Sequence, residues 1–291
     1  MIKIKILIPV YNDWQSVFKL LENINIEVST LESEFSVIIF NDASTESRPK
    51  FSADLKNLSS VEIINMKENR GHARCNAAGL KYINKKEDFD YVIAMDGDGE
   101  DRPEELSLLI EKIKDYPGTV VTANRVKRSE GFIFRSCYFI HKFLTFVFTG
   151  QTIKYGNYTC LPKFIVNELV NEPASWSSFS GSLAKISKDK KYIPSERGKR
   201  YFGPSKMSFI NLLKHSLSIS AVFKKTLFIR SILFLVVYFF LITGNISTIT
   251  LIPIIAIFFM MISIIILSRR ENMSEFNRSL DDIRDIKDIF K

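Results

Sequence analysis

Short apolar runs alternate with helix-type hydrophobic patterns along the first 125 residues. Five runs have the length of buried strands, at 2–9, 35–40, 61–65, 91–95 and 119–123. Three intervening segments repeat apolar residues every three or four positions, at 13–25, 70–83 and 103–114. Strands that alternate with helices in this way form parallel sheets covered by helices on both faces. We therefore expect an α/β fold with a doubly wound parallel sheet.

Two long apolar segments near the C-terminus have the length of membrane-spanning helices. They run over 223–243 and 246–268, and only the turn residues Gly244 and Asn245 separate them. About 20 apolar residues cross a bilayer, and a helix satisfies its own backbone there. The pattern predicts a two-helix transmembrane hairpin, with a hairpin buried in a soluble core as the alternative.

Basic residues flank this hairpin and are absent from its turn. Lys224, Lys225 and Arg230 stand at the start of the first segment, and Arg269 and Arg270 follow the second. By the positive-inside rule, both ends face the cytoplasm. We therefore expect an integral membrane protein whose remaining residues lie on the cytoplasmic face.

Two further segments, 131–149 and 207–223, mix aromatic with basic or polar residues. Helices that lie in the headgroup region of a membrane have this composition, and we expect interfacial helices here. Ordinary core helices are the alternative.

The charged tail after residue 270 has apolar residues spaced by three, which leaves open a short surface helix or an oligomer contact. Those apolar residues are Leu280, Ile283, Ile286 and Ile289. The expected division is a sheet domain at 1–130, a juxtamembrane region at 131–222, the hairpin at 223–268 and the tail at 269–291.

The net charge of +8 is concentrated between Lys185 and Lys225. Basic residues beside a membrane segment meet anionic lipid headgroups more often than nucleic acid, so we expect no nucleic-acid partner. The three cysteines have no paired spacing, which is typical of reduced thiols rather than disulfides or a zinc site. The first residues alternate as in a strand, so no signal peptide is expected.

Polar residues follow three of the predicted strands, where each strand ends. They are Tyr11-Asn12-Asp13, Asn41-Asp42-Ala43-Ser44 and the acidic run 96–101. Ligands of doubly wound sheets bind at the carboxyl ends of the strands. The pattern therefore predicts one shared pocket.

The acidic run is the strongest chemical signal in the chain. In an extended segment, Asp96, Asp98 and Glu100 point the same way and are expected to converge. Gly97 and Gly99 between them allow a ligand to approach the backbone. Such hard oxygens suit Mg²⁺ or Mn²⁺ and, through the metal, a diphosphate. A solvated acidic turn is the alternative.

Four motifs in this order resemble those of the family-2 glycosyltransferases, which have the GT-A fold. They are IPVYND at 8–13, FNDASTE at 40–46, NRGHARCNAAG at 69–79 and MDGDGEDRPE at 95–104. RYFGPSKM at 200–207, followed by the hairpin, resembles a narrower group, the polyprenyl-phosphate glycosyltransferases of the dolichol-phosphate mannose synthase and bactoprenol glucosyltransferase type.

The resemblance implies a role for each matching residue. Nucleobase and ribose would be held by Pro9, Tyr11, Asp13 and Asp42, and the nucleoside would also contact Asp96 and Gly97. The metal, Mg²⁺ or Mn²⁺, would be bound by Asp98 and Glu100. Phosphate groups would be bound by Arg125, Arg200 and Lys206. The expected catalytic residues are Asp98, Arg200 and Lys206.

Three positions depart from the family pattern. Asp13 stands where Glu is common, and Glu100 where the narrower group has Gln. Gly156-Asn157 stands where that group often has Gly-Asp, and an Asn cannot act as a base. A lipid phosphate is already anionic at pH 7 and needs no base.

Simpler roles stay open for the same residues. Asp42 could cap a turn, Asp13 could be only a helix N-cap, and Arg125 could be a surface charge. Arg200 and Lys206 could merely contact lipid. His72 and His141 form no metal or triad pattern with their neighbours in the sequence, and we do not expect them to be catalytic.

The resemblance implies a membrane-anchored inverting glycosyltransferase that moves a sugar from a UDP- or GDP-sugar to a polyprenyl phosphate. One alternative is a transferase that extends a lipid-linked or cell-surface glycan. Another, from a different class, is a non-catalytic membrane scaffold that binds nucleotide sugars. A homo-oligomer remains possible.

Overall fold

The computed structural model describes residues 1–126, 142–204 and 209–290. The strands are β1 (Ile2–Val10), β2 (Ser33–Asn41), β3 (Ser60–Met66), β4 (Tyr91–Ala94), β5 (Val120–Arg125), β6 (Tyr155–Pro162), β7 (Lys190–Ser195) and β8 (Ile283–Phe290). The helices are α1 (Trp14–Glu27), α2 (His72–Lys86), α3 (Leu106–Asp115), α4 (142–149), α5 (Lys163–Asn171), α6 (Phe179–Ile186), α7 (Phe209–Ala221), α8 (Lys224–Ile242), α9 (Thr248–Ser268) and α10 (Met273–Asn277). The elements predicted before residue 125 all form, with ends within three residues of those expected.

The strands form one mixed sheet in the order β7-β5-β6-β4-β1-β2-β3-β8. Strands β1 to β4, β5 and β7 run in the same direction. β6 runs antiparallel between β4 and β5, and β8 runs antiparallel along the edge of β3. The expected α/β sheet is therefore confirmed, and its five predicted strands, β1 to β5, all run in the same direction. Both antiparallel strands come from residues after 125, where no strand was predicted.

Helices cover both faces of the sheet, so the central strands bury side chains on both sides. In β1, Ile6 and Ile8 pack with α1 residues such as Leu20, while Leu7 between them packs with α2 residues such as Leu80. This two-sided burial explains why the strand has a nearly continuous apolar sequence.

The tail returns to the sheet domain after the apolar hairpin. Among the described residues of the tail, α10 and a 3₁₀ turn at Ser279–Asp282 are helical, and Ile283–Phe290 form β8. Phe276 of α10 is fully buried and stacks on Trp176 at a centroid distance of 5.2 Å. The three-residue spacing of apolar positions does not mark a single helix, because Leu280 lies in the 3₁₀ turn while Ile283, Ile286 and Ile289 lie on β8. Leu280 and Ile283 pack with the core on the α2 side of the sheet, and Ile289 packs with the core on the α1 side.

Helices α8 and α9 confirm the two predicted apolar segments and are long enough to cross a membrane. Their most apolar stretches have mean hydropathies of 2.1 and 2.9. Most of their large side chains are exposed; Phe240, for example, is 73% exposed and Ile249 is 77% exposed. Apolar surface of this extent needs an apolar partner, and a bilayer supplies one.

Two shorter helices lie beside this hairpin. α7 packs against both α6 and α9, and it falls within the segment expected to be interfacial. The other expected interfacial helix covers residues 131–149. Its first part, up to residue 141, lies outside the described residues, and residues 142–149 are helical. Arg230 of α8 donates hydrogen bonds to the carbonyls of Phe146 and Val147, which attaches α4 to the first apolar helix.

Two of the cysteines are buried free thiols. Cys75 packs under β2 and Cys160 lies in the core on β6, and burial raises the pKa of each thiol well above its ordinary value. A thiolate is the reactive form, so neither residue has the environment of a reactive cysteine.

We predict that a Cys137→Ser variant resists alkylation by maleimide at pH 7.5. Both remaining thiols should label only after the protein is unfolded in denaturant, as measured by intact mass. Rapid labelling of either Cys75 or Cys160 in the folded protein would contradict this burial.

Candidate active site

The loops that follow β1, β2 and β4 meet at the carboxyl edge of the sheet, as the sequence predicts. The backbone N–H of Asn12 donates to Ser44 Oγ at 2.9 Å, and the side-chain oxygen of Asn12 accepts the backbone N–H of Thr45 at 2.8 Å. These bonds lock the β1 loop to the β2 loop.

Asp42 holds the loop that leads into α2. Its two oxygens accept the backbone N–H groups of Arg70 and Gly71, each at 2.8 Å. Burial raises the pKa of the Asp42 carboxyl, and these two bonds oppose the rise. Asp42 therefore has the loop-capping role that the sequence left open.

Arg200 joins the β1 and β4 loops. Its guanidinium contacts Asp98 Oδ2 and Asp13 Oδ2, each at 2.5 Å, and its side chain is only 15% exposed. The Nε atom of Arg200 is buried and has no hydrogen-bond partner within the described parts of the chain. Asp13 occupies the N-cap position of α1 but makes no side-chain capping bond, so the N-cap explanation for it fails.

The acidic side chains of the β4 loop point in different directions. Asp96 Oδ1 accepts a hydrogen bond from Asn157 at 3.1 Å, Asp98 pairs with Arg200, and Glu100 pairs with Arg197. The strand ends at Ala94 and the chain then turns, with Gly99 at a φ of +87°. Alternation applies to an extended chain, so the expected convergence of the three side chains does not occur.

Negative charge is nevertheless concentrated at this loop. Burial and the charge of Asp96 raise the pKa of Asp98, and Arg200 opposes the rise. Burial also raises the pKa of Asp101 well above its usual range, although its Oδ2 accepts the backbone N–H of Asp96 at 2.9 Å. Burial is thus the main cause of both shifts, and the charge of the neighbouring Asp96 adds to each.

The chemistry of these donors fits a hard divalent cation. Carboxylate oxygens, as in Asp98 and Glu100, are the ligands that Mg²⁺ and Mn²⁺ prefer. In the described ranges, no three His, Cys, Asp or Glu side chains are grouped as a metal site. Instead, a guanidinium lies beside each of these two carboxylates.

The loop after β7 brings both arginines to the acidic turn. The backbone N–H of Gly198 donates to the Glu100 carbonyl at 2.8 Å, and that of Tyr201 to the Asp98 carbonyl at 3.0 Å. The Tyr201 hydroxyl accepts a bond from Asn23 of α1 at 2.8 Å. Lys206, the other expected basic residue of this motif, lies outside the described residues.

The remaining predicted residues also lie at this edge. A Cβ atom added at Gly97 would approach Val17 to 2.8 Å and the Pro9 carbonyl to 3.3 Å, so the β4 loop lies directly against β1. Tyr11 is 44% exposed at the mouth of the site. Arg125, at the end of β5, lies 3.9 Å from Asp101 and is not a detached surface charge.

Sequence reasoning missed a second polar cluster on the α2 side of the site. Nε2 of His72 lies 2.5 Å from Nδ2 of Asn157 and 3.4 Å from Oδ1 of Asp96. His215 of α7 is close enough for the charges of both His72 and Asp96 to act on it. Burial among protein atoms is the main cause that lowers the pKa of His215, although its ring still reaches solvent. Because these residues come from α2, β6 and α7, no sequence spacing could have revealed the cluster. His141, which was also not expected to be catalytic, lies outside the described residues.

Comparison with known sequences gives one family and one informative relative. The sequence profile of Glycosyl transferase family 2 matches residues 5–162. The undecaprenyl-phosphate 4-deoxy-4-formamido-L-arabinose transferase of Proteus mirabilis (strain HI4320) is 26% identical over 215 residues. The match covers 72% of this chain and 64% of that protein, so this chain spans less than two thirds of the relative.

Solved structures resemble the fold at low sequence identity. Mannosyl-3-phosphoglycerate synthase from Rubrobacter xylanophilus has a TM-score of 0.54 at 12% identity, over 78% of this chain and 74% of that one. Glucosyl-3-phosphoglycerate synthase from Mycobacterium tuberculosis, solved with Mn²⁺, UDP-glucose and phosphoglyceric acid, has a TM-score of 0.50 at 13% identity, over 77% and 79% of the two chains. At these identities the likeness establishes the fold alone.

We predict that Gly99→Ala releases the loop that carries Arg197 and Arg200. The new Cβ would lie 2.6 Å from the Tyr201 ring, in addition to the cost of about 1–2 kcal/mol for a left-handed non-glycine residue. The amides of Gly198 and Tyr201 should then exchange hydrogen for deuterium faster.

Gly118→Ala is the matched control. Gly118 has a φ of +73°, and an added Cβ there would meet nothing within 4 Å. Gly118→Ala has a comparable cost in backbone strain and should lower the melting temperature by a similar amount. Hydrogen–deuterium exchange in the loop that carries Arg197 and Arg200 should not change. Equal exchange rates of the Gly198 and Tyr201 amides in the two variants would contradict the contact between position 99 and the Tyr201 ring.

Proposed function

We propose, from the premise that the chain belongs to glycosyl transferase family 2, that it is a membrane-anchored inverting glycosyltransferase. It would move a sugar from a nucleotide-sugar donor to a polyprenyl phosphate. The relative from Proteus mirabilis, which is named as an undecaprenyl-phosphate transferase, supports this acceptor class.

The observation that carries this proposal is the guanidinium of Arg200 between Asp13 and Asp98. It draws the β1 and β4 loops together at the sheet edge where ligands of such folds bind. Its buried Nε–H lacks a partner among the described residues, and a phosphate oxygen would supply one. Guanidinium groups bind phosphate through several hydrogen bonds at once, so Arg200 suits the diphosphate of a donor.

The donor would lie across the loops that carry the family motifs. Pro9, Tyr11, Asp42 and Gly97 would border the nucleoside, with Asp13 and Asp96 beside the ribose. Arg125 and Lys206 would add positive charge for phosphate oxygens. The donor would be a UDP- or GDP-sugar; the second solved neighbour was crystallised with UDP-glucose, which supports the UDP-sugar.

The acceptor side is supported by the path from the site to the apolar helices. α7 packs against α9, while His215 on α7 is within electrostatic range of Asp96 and His72. The acidic loop is therefore linked to the candidate membrane spans by a single helix. A phosphate on a membrane-embedded lipid could reach such a site without leaving the bilayer surface.

The chemistry is mainly a matter of alignment and charge. A lipid phosphate is already anionic near pH 7 and needs no general base, which fits Asn157 at this edge. The protein would align that phosphate behind the anomeric carbon of the donor sugar. Direct displacement by the phosphate would then invert the configuration of that carbon. Arg200 would stabilise the departing nucleoside diphosphate. Mg²⁺ or Mn²⁺, held by Asp98 and Glu100, would supply Lewis-acid charge neutralisation when bound.

We predict that Asp98→Ala lowers sugar transfer by about 100-fold or more, because the variant loses both a metal donor and the partner of Arg200. Membrane insertion should be unchanged, while the melting temperature should fall, because the largely buried Arg200 loses one of its two carboxylate partners. Glu104→Ala, which removes an exposed carboxylate from the same segment, is the control and should retain activity. Full turnover by Asp98→Ala would mean that the site has been assigned to the wrong residues.

The acceptor is tested with labelled donor sugars on reconstituted full-length protein. We expect transfer to undecaprenyl phosphate, no transfer to undecaprenol, and an inverted anomeric configuration in the product. Transfer to saccharide acceptors instead would favour the glycan-extending alternative. Nucleotide-sugar binding without turnover on any acceptor would favour a scaffold.

A further inference from the structure

The tail of residues 271–290 contacts Arg70 and Asn65, and each of these residues hydrogen-bonds to the chain at the end of β2, beside the proposed nucleoside site. It follows the second apolar helix directly, and its first residue, Glu271, pairs with Lys224 of α8 at 2.7 Å. From there α10 and β8 cross to α2 and β3 on the far edge of the sheet. We propose that Glu275, Asp282 and Asp285 of this tail are positioning residues for donor-nucleotide binding.

The first route runs through Arg70. Its guanidinium contacts Glu275 Oε1 at 2.8 Å and Asp282 Oδ2 at 2.9 Å. The backbone N–H of the same residue donates to Asp42 at 2.8 Å. Glu68, which is not part of the tail, also contacts this guanidinium at 2.5 Å. The two tail carboxylates therefore help to fix the side chain of a residue whose backbone orients Asp42.

The second route is a relay of hydrogen bonds across two strands. Asp285 Oδ1 accepts from the Asn65 amide at 2.7 Å, and Asn65 Oδ1 accepts from the Asn41 amide at 2.8 Å. Asn41 Oδ1 then accepts the backbone N–H of Ser44 at 3.0 Å, and Ser44 Oγ accepts that of Asn12 at 2.9 Å. The relay begins on β8 and ends in the β1 loop beside Tyr11.

Burial makes the second route specific. Asn41 and Asn65 are 4% and 5% exposed, so water does not readily replace a missing partner. A buried amide that loses its acceptor pays the full desolvation cost, and the chain is expected to shift to recover a bond. The shift would be transmitted to the Asn12 and Ser44 loops rather than to the apolar helices.

The segment is anchored independently of these polar contacts. Phe276 is fully buried against Trp176, and the backbone N–H of Lys67 donates to the Asp282 carbonyl at 2.8 Å. Single polar substitutions should therefore leave the tail docked, so that changes in nucleotide binding report on positioning rather than on unfolding.

The inference rests on the proposed function, and its test measures nucleotide binding directly. Full-length protein in lipid nanodiscs is titrated with UDP and with GDP in the presence of Mn²⁺, for the wild type, Asp285→Ala and the Glu275→Ala/Asp282→Ala double variant. We expect each variant to weaken binding of the preferred nucleotide by about tenfold, which corresponds to about 1.4 kcal/mol. The KM for the donor should rise equally, with the KM for undecaprenyl phosphate unchanged.

Two matched variants separate positioning from structure. Asp285→Asn keeps an oxygen that can accept from Asn65, and should bind nucleotide like the wild type. Asp288→Ala removes the same charge from the same strand at a position opposite Glu62, and should also have no effect. All variants should melt within a few degrees of the wild type.

The results of these experiments distinguish failure of the positioning role from failure of the proposed transfer to a polyprenyl phosphate. Unchanged nucleotide affinity in folded Asp285→Ala and in the folded double variant would overturn the positioning role. Equal loss in Asp288→Ala would overturn it as well, because that loss would come from charge alone. If the wild type binds nucleotide and the variants bind it weakly, but no polyprenyl phosphate is glycosylated, the positioning role stands and the proposed acceptor fails. Absence of nucleotide binding by the wild type would overturn both.

Discussion

The site depends on holding several carboxylates in a partly buried cleft. Asp13 comes from the β1 loop, while Asp98 and Asp101 come from the β4 loop, and burial disfavours the ionised form of Asp98 and Asp101. A buried charge is tolerated only with a partner, and removing that partner is costly. Arg200 is that partner for two of the loops, so the position of the chain after β7 and the shape of the acidic turn depend on each other.

This mutual dependence has a consequence for ligand binding. A guanidinium compensates carboxylates in the same place where a divalent cation and a diphosphate would add their own opposite charges. Burial is the main cause that raises the pKa of Asp98 and Asp101, and the charge of Asp96 adds to it. A cation held by the carboxylates would favour their ionised form, and a guanidinium that it replaced there would be available to contact phosphate.

In the described parts of the chain, α4, α7 and the tail all connect the sheet domain to the apolar hairpin. α7 connects the hairpin to the polar cluster around Asp96, on the side proposed for the acceptor. The tail connects the hairpin to Arg70 and Asn65, on the side proposed for the nucleotide. A rigid connection on both sides would keep donor and acceptor aligned at the membrane surface, where near-attack geometry contributes most of the catalysis.

The amino-acid sequence determined every element before residue 125, the two apolar helices and the loops that form the site, because hydrophobic periodicity and strand-end polarity are local signals. It also identified Asp13, Asp98 and Arg200 through motifs, although it could not show that the three are in contact. Only the tertiary structure decided that β6 and β8 run antiparallel, that the acidic side chains diverge after Ala94, and that the tail returns to β3. Each of these outcomes depends on contacts between residues far apart in the chain, and such contacts leave no periodic trace in the sequence.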